Sequence, residues 1–400
     1  MSQPIKLTLT LILILGSISA LTPLAIDMYL PAMSEIAREL SVSSGAIQIT
    51  LTTYTAAFAI GQLFYGPLAD SFGRKPILLS GILFFIIASM FSALATDILG
   101  LTWVRAAQGG AGAAPAVIVS AIVRDMFEKE DFSRTMSYIT LSMILAPLAA
   151  PLIGGYLTVW FGWRSIFWLL SIVAILSMIA SGMKIPETLS ARNKQRFSLR
   201  AIFRNYFALL KQPRAMGLIF TGGLSFAGML TFLTGGAFIY IELYDIRVDH
   251  VGYLYALNII FMICMTTLNT RLVKRMGTTW MLRLGMSIQF TAGILLLLGQ
   301  TFGLGLWGIV IPTMMFIGTL PVIGSNSTAM LLSDYPHIAG TAVALSGTFR
   351  FGLGAVAAAV LSLFLMTTPW PMVAIMAVCS TLSSASYYLL VAQKNTLLKF

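Results

Sequence analysis

The chain has 400 residues, of which 58% are hydrophobic and only 10% are charged, and its mean hydropathy is +0.89. A soluble domain is typically about 25% charged, so this composition excludes a water-soluble protein and predicts an integral membrane protein. In a soluble protein the net charge of +11 would suggest nucleic acid as a partner. Too little polar surface is available here, and we expect membrane lipid and no nucleic acid around the chain.

Residues that carry catalysis or bind metals are scarce. The chain has two histidines and two cysteines, and both cysteines, Cys264 and Cys379, lie in apolar runs. It contains no CxxC, HExxH, GxSxG or GxxxxGKS/T motif. We therefore predict a protein that is not an enzyme and that has no catalytic residue, no metal site and no cofactor.

Apolar segments follow one another along the whole chain. A membrane-spanning helix needs about 20 mostly apolar residues, and about twelve such windows occur. The breaks between spans 9 and 10 and between spans 11 and 12 carry no charge. The predicted spans 1 to 12 cover residues 7–27, 46–68, 76–95, 98–123, 135–159, 163–183, 215–239, 251–272, 279–300, 304–332, 339–366 and 370–392.

The positions of Lys and Arg indicate how these spans are oriented. With a cytoplasmic N-terminus, 20 of the 25 Lys and Arg residues fall in cytoplasmic segments and three fall in outside loops. The remaining two, Arg105 and Arg350, lie inside spans 4 and 11. The positive-inside rule therefore predicts an even number of spans with both termini in the cytoplasm.

One long polar segment divides the chain near its middle. Residues 184–214 carry eight Lys and Arg and one acid, Glu187. The turn SFGR after span 2 has a weak counterpart, KRMG, after span 8, about half a chain later. Duplicated halves are a transporter architecture. We predict an N-terminal six-helix bundle over 1–183, a basic cytoplasmic linker over 184–214 and a C-terminal six-helix bundle over 215–400.

Two charges lie at membrane depth in the first half, Asp27 towards the outer end of span 1 and Arg105 in span 4. Such charges are costly in lipid, so each needs a partner, a water-filled cavity or a function. If spans 1 and 4 are neighbours, the two side chains pair or share a water. Burial favours a neutral carboxyl and a guanidinium favours an ionised one, so movement of Arg105 would switch the protonation of Asp27. The alternative is an interfacial Asp27 that faces outside water.

Arg350 in span 11 has no acidic partner in the neighbouring spans of the second half. We expect helix carbonyls or an amide such as Asn326 to hold its guanidinium. The alternative is that Arg350 lies lower in the membrane and extends its side chain to the cytoplasmic surface.

An aromatic stripe that contains an amide runs along span 2, with further aromatic residues in spans 7 and 8. Aromatic rings with a few amides suit bulky, amphipathic ligands, because a ring face binds apolar and cationic groups alike. The alternative is that these rings face lipid or pack in the core. The predicted cavity residues are Tyr29, Tyr54, Phe58, Gln62, Phe226, Tyr255, Asn258, Asn326 and Arg350.

The loop after span 2 reads GPLADSFGRKP over residues 66–76. It resembles the loop motif G-x-L-a-D-r-x-G-r-k of the major facilitator superfamily. The glycine before the arginine permits a tight turn, and the aspartate can cap helix-end amides and pair with basic residues of the neighbouring loop. The resemblance implies a cytoplasmic gate that holds one access state, whereas a plain basic turn would not need the aspartate and glycines. The predicted gate residues are Gly66, Asp70, Gly73, Arg74 and Lys75.

Two further stretches are similar to motifs of the twelve-helix drug:H⁺ antiporters in that superfamily. Span 4 reads LTWVRAAQGGAGAA over 101–114, and the match implies that Arg105 takes part in proton transfer. Span 5 reads APLAAPLIGG over 146–155, close to the motif G-P-x-x-G-G, but it has Ala150 in place of a glycine. The motif residues are Pro147, an additional proline, with Pro151, Gly154 and Gly155.

The end of span 1, AIDMYLPAM over 25–33, and the stretch 340–352 resemble the Bcr/CflA subfamily, known for bicyclomycin and chloramphenicol-type resistance. The resemblance implies an all-α fold of two pseudo-symmetric six-helix bundles that exports small amphipathic drugs across a bacterial inner membrane by alternating access. The resemblance also implies that protons are the coupling ion and that Asp27 and Arg105 carry the coupling. We expect a monomer. One alternative is a facilitator or proton symporter that imports a small metabolite, and the other is a membrane-embedded enzyme or receptor.

Overall fold

A computed structural model describes residues 9–127, 129–189, 199–335, 339–364 and 367–392, and within these ranges the chain is helical with no β-strand. A 3₁₀ turn, Leu30–Ala32, joins α1 to α2, and π-helical turns follow α9 and α15. The α-helices are α1 Leu9–Asp27, α2 Met33–Glu39, α3 Ser44–Phe72, α4 Arg74–Ala93, α5 Ile98–Met126, α6 Lys129–Phe161, α7 Arg164–Lys184, α8 Leu199–Leu210, α9 Pro213–Phe238, α10 Val248–Met276, α11 Thr278–Thr301, α12 Trp307–Gly318, α13 Leu320–Asp334, α14 Ala339–Ser362 and α15 Trp370–Tyr387.

Each of the twelve predicted spans coincides with a helical segment in the described part of the chain. Ten of these segments are long and apolar enough to cross a membrane by their length and composition. The other two are α3, whose glutamines and threonines lower its hydropathy, and α6, of which Ala149–Phe161 forms a shorter apolar stretch. The protein is therefore an all-α, multi-pass membrane protein.

The uncharged break between spans 9 and 10 is confirmed by the backbone. Gly303 and Gly305 both have φ of +63°, a conformation that residues with a Cβ rarely adopt. These two glycines allow the chain to leave α11 and enter α12 within a few residues.

Three segments differ from the predicted spans. Span 1 does not end at Asp27, because the 3₁₀ turn and α2 continue it to Glu39. Span 10 is two helices that meet at Thr319, and the second residue of α13 is a proline, which cannot donate a helical hydrogen bond. The linker 184–214 contains α8, whose apolar residues recur at helical spacing between arginines. Residues 190–198 of the linker lie outside the described ranges.

By contacts the chain divides into two units, Met1–Val42 with Thr53–Ser198 and Ser43–Thr52 with Leu199–Phe400. In the first unit α1 packs on α5, α6 and α7, while α4 packs on α5 and α7. In the second unit α9 packs on α13, α14 and α15, while α11 packs on α12 and α15. When the spans are numbered from one to six within each half, the packed pairs in the second unit are the same as those in the first. The weak similarity between the turns SFGR and KRMG therefore reflects two related six-helix arrangements.

Candidate functional site

A fully buried arginine lies in the interior of the first unit. Arg105, on α5, has no exposed side-chain surface. Its Nη1 donates to Oε1 of Gln108 over 2.6 Å, and its Nη2 donates to the carbonyl oxygen of Ala25 over 3.2 Å. Gln108 in turn donates from Nε2 to Oγ of Ser89 over 2.7 Å. This network joins α1, α4 and α5 around one positive charge.

Three aromatic rings surround the same guanidinium. Its central carbon lies 4.6 Å from the ring centre of Tyr29, 4.4 Å from that of Tyr54 and 5.7 Å from that of Phe167. Desolvated cation–π contacts are worth about 2 kcal/mol or more. Tyr29 and Tyr54, both predicted cavity residues, are fully buried in this contact with Arg105. Aromatic spacing along span 2 alone could not reveal that an arginine lies between the rings.

Asp27, the last residue of α1, is buried at 6% exposure and therefore does not face outside water. The predicted pair with Arg105 does not form: within the described residues no ion pair or hydrogen bond of the Asp27 carboxyl occurs. Ala25 and Tyr29, which both contact Arg105, are four residues apart and share a face of the helix. Asp27 is two residues from Ala25, about 200° further around the helix, and so it lies away from the guanidinium.

The other predicted cavity residues of span 2 are also inside the first unit. Phe58 is buried, and Gln62 is half-buried with no hydrogen-bond partner for its Nε2 in the described part of the chain. Thr22 is a contact that the sequence does not predict; its Oγ1 accepts from the Tyr54 hydroxyl over 3.4 Å and donates to the carbonyl of Gly112 over 3.3 Å. Lone Ser and Thr residues in apolar spans carry too weak a pattern to identify such contacts from sequence.

The motif in span 5 lies in one continuous helix, α6, which passes through both of its prolines. Pro147 is half-buried, and Pro151, Gly154 and Gly155 are buried. A Cβ on Gly154 would overlap the carbonyl oxygen of Met28. The predicted close packing is therefore present, and it is made against the residue that follows Asp27.

Gly154→Ala is expected to lower the stability of the purified protein by about 1–3 kcal/mol, because the added methyl overlaps a backbone oxygen that cannot move alone. The midpoint of thermal unfolding in detergent measures this loss. Gly182→Ala is the matched control, since nothing lies within 4 Å of the Cβ it would add. Equal midpoints for the two variants would contradict the close approach.

The loop 66–76 lies in a charged cluster, and the basic partner of Asp70 among the described residues belongs to its own loop rather than to the predicted neighbouring loop. Arg74 Nη2 lies 2.5 Å from the Asp70 carboxylate, and its Nε donates to Asp125 of α5 over 3.2 Å. Gly66 packs near Val117, also of α5. Lys75 donates from Nζ to a backbone carbonyl at the end of α7 over 2.7 Å. The loop therefore ties together the ends of α3, α4, α5 and α7 that the charge pattern assigns to the cytoplasm.

The helix cap in this cluster is Glu187, a role that the motif predicts for Asp70. The backbone amides of Arg74 and Lys75, which begin α4, donate to the two carboxylate oxygens of Glu187 over 3.0 and 3.3 Å. Free amides and the helix dipole make a helix N-terminus favourable for a carboxylate. Asp70 belongs to the last turn of α3, where free carbonyls rather than free amides are exposed. Glu187 was recognisable only as the single acid of a basic segment.

Gly73 has φ of +114°, and a Cβ there would lie 2.5 Å from the Glu187 carboxylate. Gly277, its counterpart before α11, has φ of +82° and nothing within 4 Å of its Cβ position. Both Gly73→Ala and Gly277→Ala should cost about 1–2 kcal/mol through backbone strain. Gly73→Ala should cost about 1 kcal/mol more, because it also displaces the cap. Thermal unfolding of the two variants in detergent provides the comparison, and equal losses would exclude the cap.

The predicted residues of the second unit form separate contacts. Tyr255 packs on Phe232 with ring centres 5.1 Å apart, and Asn258 is buried on the same helix, α10. Asn326 donates to Oδ1 of Asn269 over 2.8 Å, so the amide suggested as a partner of Arg350 pairs with another amide instead. The Arg350 guanidinium lies over the ring of Phe226, 5.7 Å from the ring centre.

A model of the Major Facilitator Superfamily matches residues 15–359, most of the chain. The chain belongs to this superfamily. The predicted family and fold are thereby confirmed, and members of the superfamily are transporters.

Curated relatives cover nearly the whole chain. The chain is 40% identical to the "Bicyclomycin resistance protein homolog" of Haemophilus influenzae, over 97% of this chain and 98% of that protein. It is 29% identical to the "Chloramphenicol resistance protein" of Pseudomonas aeruginosa, over 90% and 86%. It is 27% identical to "Multidrug resistance protein D" of Escherichia coli K12, over 84% of each. These relatives confirm the resemblance to the Bcr/CflA subfamily.

Solved structures show the same fold at low sequence identity. A point mutant of the nucleoside transporter NupG superposes with a TM-score of 0.73 at 16% identity, covering 96% of this chain and 99% of that one. A bacterial homolog of the human lysosomal transporter Spinster, in an inward-facing and unoccupied conformation, superposes with a TM-score of 0.66 at 16% identity, covering 95% and 94%.

Proposed function

We propose that this protein is a proton-coupled multidrug exporter that works by alternating access. Export of drug-like compounds is supported by relatives named for bicyclomycin, chloramphenicol and multidrug resistance, each of which matches most of the chain. The substrates are small amphipathic compounds, and the protein acts in the bacterial inner membrane.

The observation that carries proton coupling is the buried carboxyl of Asp27, which has no partner in the described part of the chain. A carboxyl without a cation in a low-dielectric interior favours its neutral form, whereas water or a nearby guanidinium favours the ionised form. Arg105 is held two residues away, on the Ala25 carbonyl. Entry of water beside the carboxyl, or a rearrangement of α1 that brings it to the guanidinium, would therefore change which form of Asp27 is stable.

In the proposed cycle a proton from outside neutralises Asp27 as the drug leaves outward, and Asp27 releases it to the cytoplasm after the transporter returns. One charge moved across the membrane is worth about 2.3 kcal/mol per 100 mV, a bias of roughly 50-fold. The cycle needs no cofactor and no second subunit, so we propose that the monomer is the transporting unit and that protons are the coupling ion.

The charged cluster of Asp70, Arg74, Asp125 and Glu187 is proposed to hold the cytoplasmic ends of the first unit's helices in one access state. The distances from Arg74 and Lys75 to their acidic partners support this gate. Cytoplasmic termini follow from the positive-inside count; residues 1–8 and 393–400 themselves lie outside the described ranges.

Overexpression in a drug-sensitive bacterium, with a panel of toxic compounds, tests the function. Raised tolerance to several amphipathic antibiotics is expected, together with compound uptake into everted membrane vesicles that collapses when a protonophore is added. Unchanged tolerance across the panel would contradict drug export. Uptake by intact cells driven by an inward proton gradient would instead identify an importing symporter.

A further inference from the structure

Arg350 lies at the middle of a membrane helix. It is the twelfth of the 24 residues of α14, and at 1.5 Å per residue it is roughly 17 Å from either end of the helix. This distance exceeds the reach of an arginine side chain, so Arg350 does not extend to the cytoplasmic surface. A charge at this depth costs about 3 kcal/mol even on the mildest insertion scale, and something must offset that cost.

The described part of the chain contains no counter-ion for Arg350. The acidic residues of the second unit, Glu242, Asp245, Asp249 and Asp334, all lie at or beyond helix ends. Neither an ion pair nor a hydrogen bond of the Arg350 guanidinium occurs among the described residues. The contrast with Arg105 is direct, because Arg105 has a carbonyl and an amide oxygen as acceptors.

A glycine and an aromatic ring border the Arg350 guanidinium. Gly324 of α13 has no side chain where a Cβ would lie 3.2 Å from Nη2 of Arg350. On the other side Phe226 packs beneath the guanidinium, and its ring meets that of Phe351 at 4.8 Å. Arg350 is half-buried, and its guanidinium has no hydrogen-bond acceptor among the described residues. A cation without an acceptor among the described residues, an aromatic ring and a glycine therefore form one compact group within the second unit.

We propose that Arg350, with Phe226 and Gly324, forms a subsite for the carboxylate group of amphipathic anionic substrates. The guanidinium donates two hydrogen bonds to the carboxylate, and the two phenylalanine rings contact the apolar part of the ligand. The proposal rests on the proposed function, because it assigns one substrate class to the exporter. Neutral and cationic drugs would not depend on this subsite.

The test uses the full-length protein in detergent and two fluorescent probes, dansylglycine and dansylglycinamide, which differ only in the charged carboxylate. Arg350→Gln is expected to weaken dansylglycine binding about tenfold or more, the value of a charge-assisted hydrogen bond of at least 1.4 kcal/mol. Dansylglycinamide binding should change less than about twofold. Equal losses for both probes, or no loss for dansylglycine, would overturn the proposal.

A second variant keeps the test decisive if Arg350→Gln does not fold. Gly324→Ala retains the arginine but places a methyl 3.2 Å from its Nη2, and it should weaken dansylglycine binding several-fold while dansylglycinamide binding is unchanged. Gly352→Ala, on α14 with nothing within 4 Å of its Cβ position, should bind both probes like the wild type. If Gly324→Ala matches Gly352→Ala, the subsite is wrong. Resistance to neutral drugs, measured for the wild type and for Gly352→Ala, tests export separately, so that a failure of the proposed function is distinguished from a failure of the subsite.

Discussion

Asp27→Asn is expected to abolish proton-driven export. The substitution keeps the size and the hydrogen-bonding capacity of the side chain but removes the group that gains and loses a proton. Because Asp27 is buried and has no partner among the described residues, the neutral asparagine should fit without destabilising α1. Everted membrane vesicles that are energised by a pH gradient measure the effect, and drug accumulation should fall to the level of vesicles without the protein.

The matched control for this variant is Asp97→Asn. Asp97 is exposed and caps α5 by accepting from the Gly100 amide over 2.8 Å, and asparagine caps a helix almost equally well. Its vesicles should accumulate drug like the wild type. Proton-driven accumulation that survives Asp27→Asn, at equal protein content, would exclude Asp27 as the coupling site. Drug binding should persist in Asp27→Asn, because that variant is blocked in the cycle and not in recognition.

Arg105→Ala should reduce coupled export about tenfold or more, since it removes charge-assisted hydrogen bonds that each contribute at least about 1.5 kcal/mol. It leaves the Ala25 carbonyl and the Gln108 amide without their donor and removes the cation between Tyr29 and Tyr54. The environment that sets the charge of Asp27 should change as a result. The measurement is the rate of drug uptake into everted vesicles as a function of external pH.

Two observations distinguish lost coupling from lost structure in Arg105→Ala. The amount of protein in the membrane should stay near that of the wild type, because the spans themselves remain apolar. Arg271→Ala, at an exposed position on α10, controls for the removal of an arginine and should transport normally. Normal drug resistance in Arg105→Ala at normal expression would contradict a role for the buried network.

Asp27 illustrates how far sequence could predict the site. Its charge and its position in an apolar span identified it as a costly residue, and the structure places it in the interior. Its partner was not predictable, because the direction of a side chain depends on how the helix is rotated against its neighbours. The acceptor for Arg105 is the backbone carbonyl of Ala25, two residues before Asp27, and not the Asp27 carboxyl that the sequence suggested.

In the cytoplasmic cluster, too, sequence could predict local contacts but not a contact between segments far apart in the chain. The motif identified the turn at Gly73 and the basic residues after it, and the ion pair between Asp70 and Arg74 is local. The cap comes from Glu187, in a segment far along the chain, and no spacing rule connects it to α4. Only folding of the first unit brings these two segments together.

The sequence by itself determined the class of this protein, the number and approximate limits of its spans, and its family. These properties depend on hydropathy, charge and motifs, which are local and add along the chain. The tertiary structure alone decided the partners of the membrane charges: aromatic rings, an amide and a carbonyl for Arg105, and among the described residues no counter-ion for Arg350. The physical reason is that a partner is set by helix rotation and packing between distant segments, and these depend on the whole fold at once.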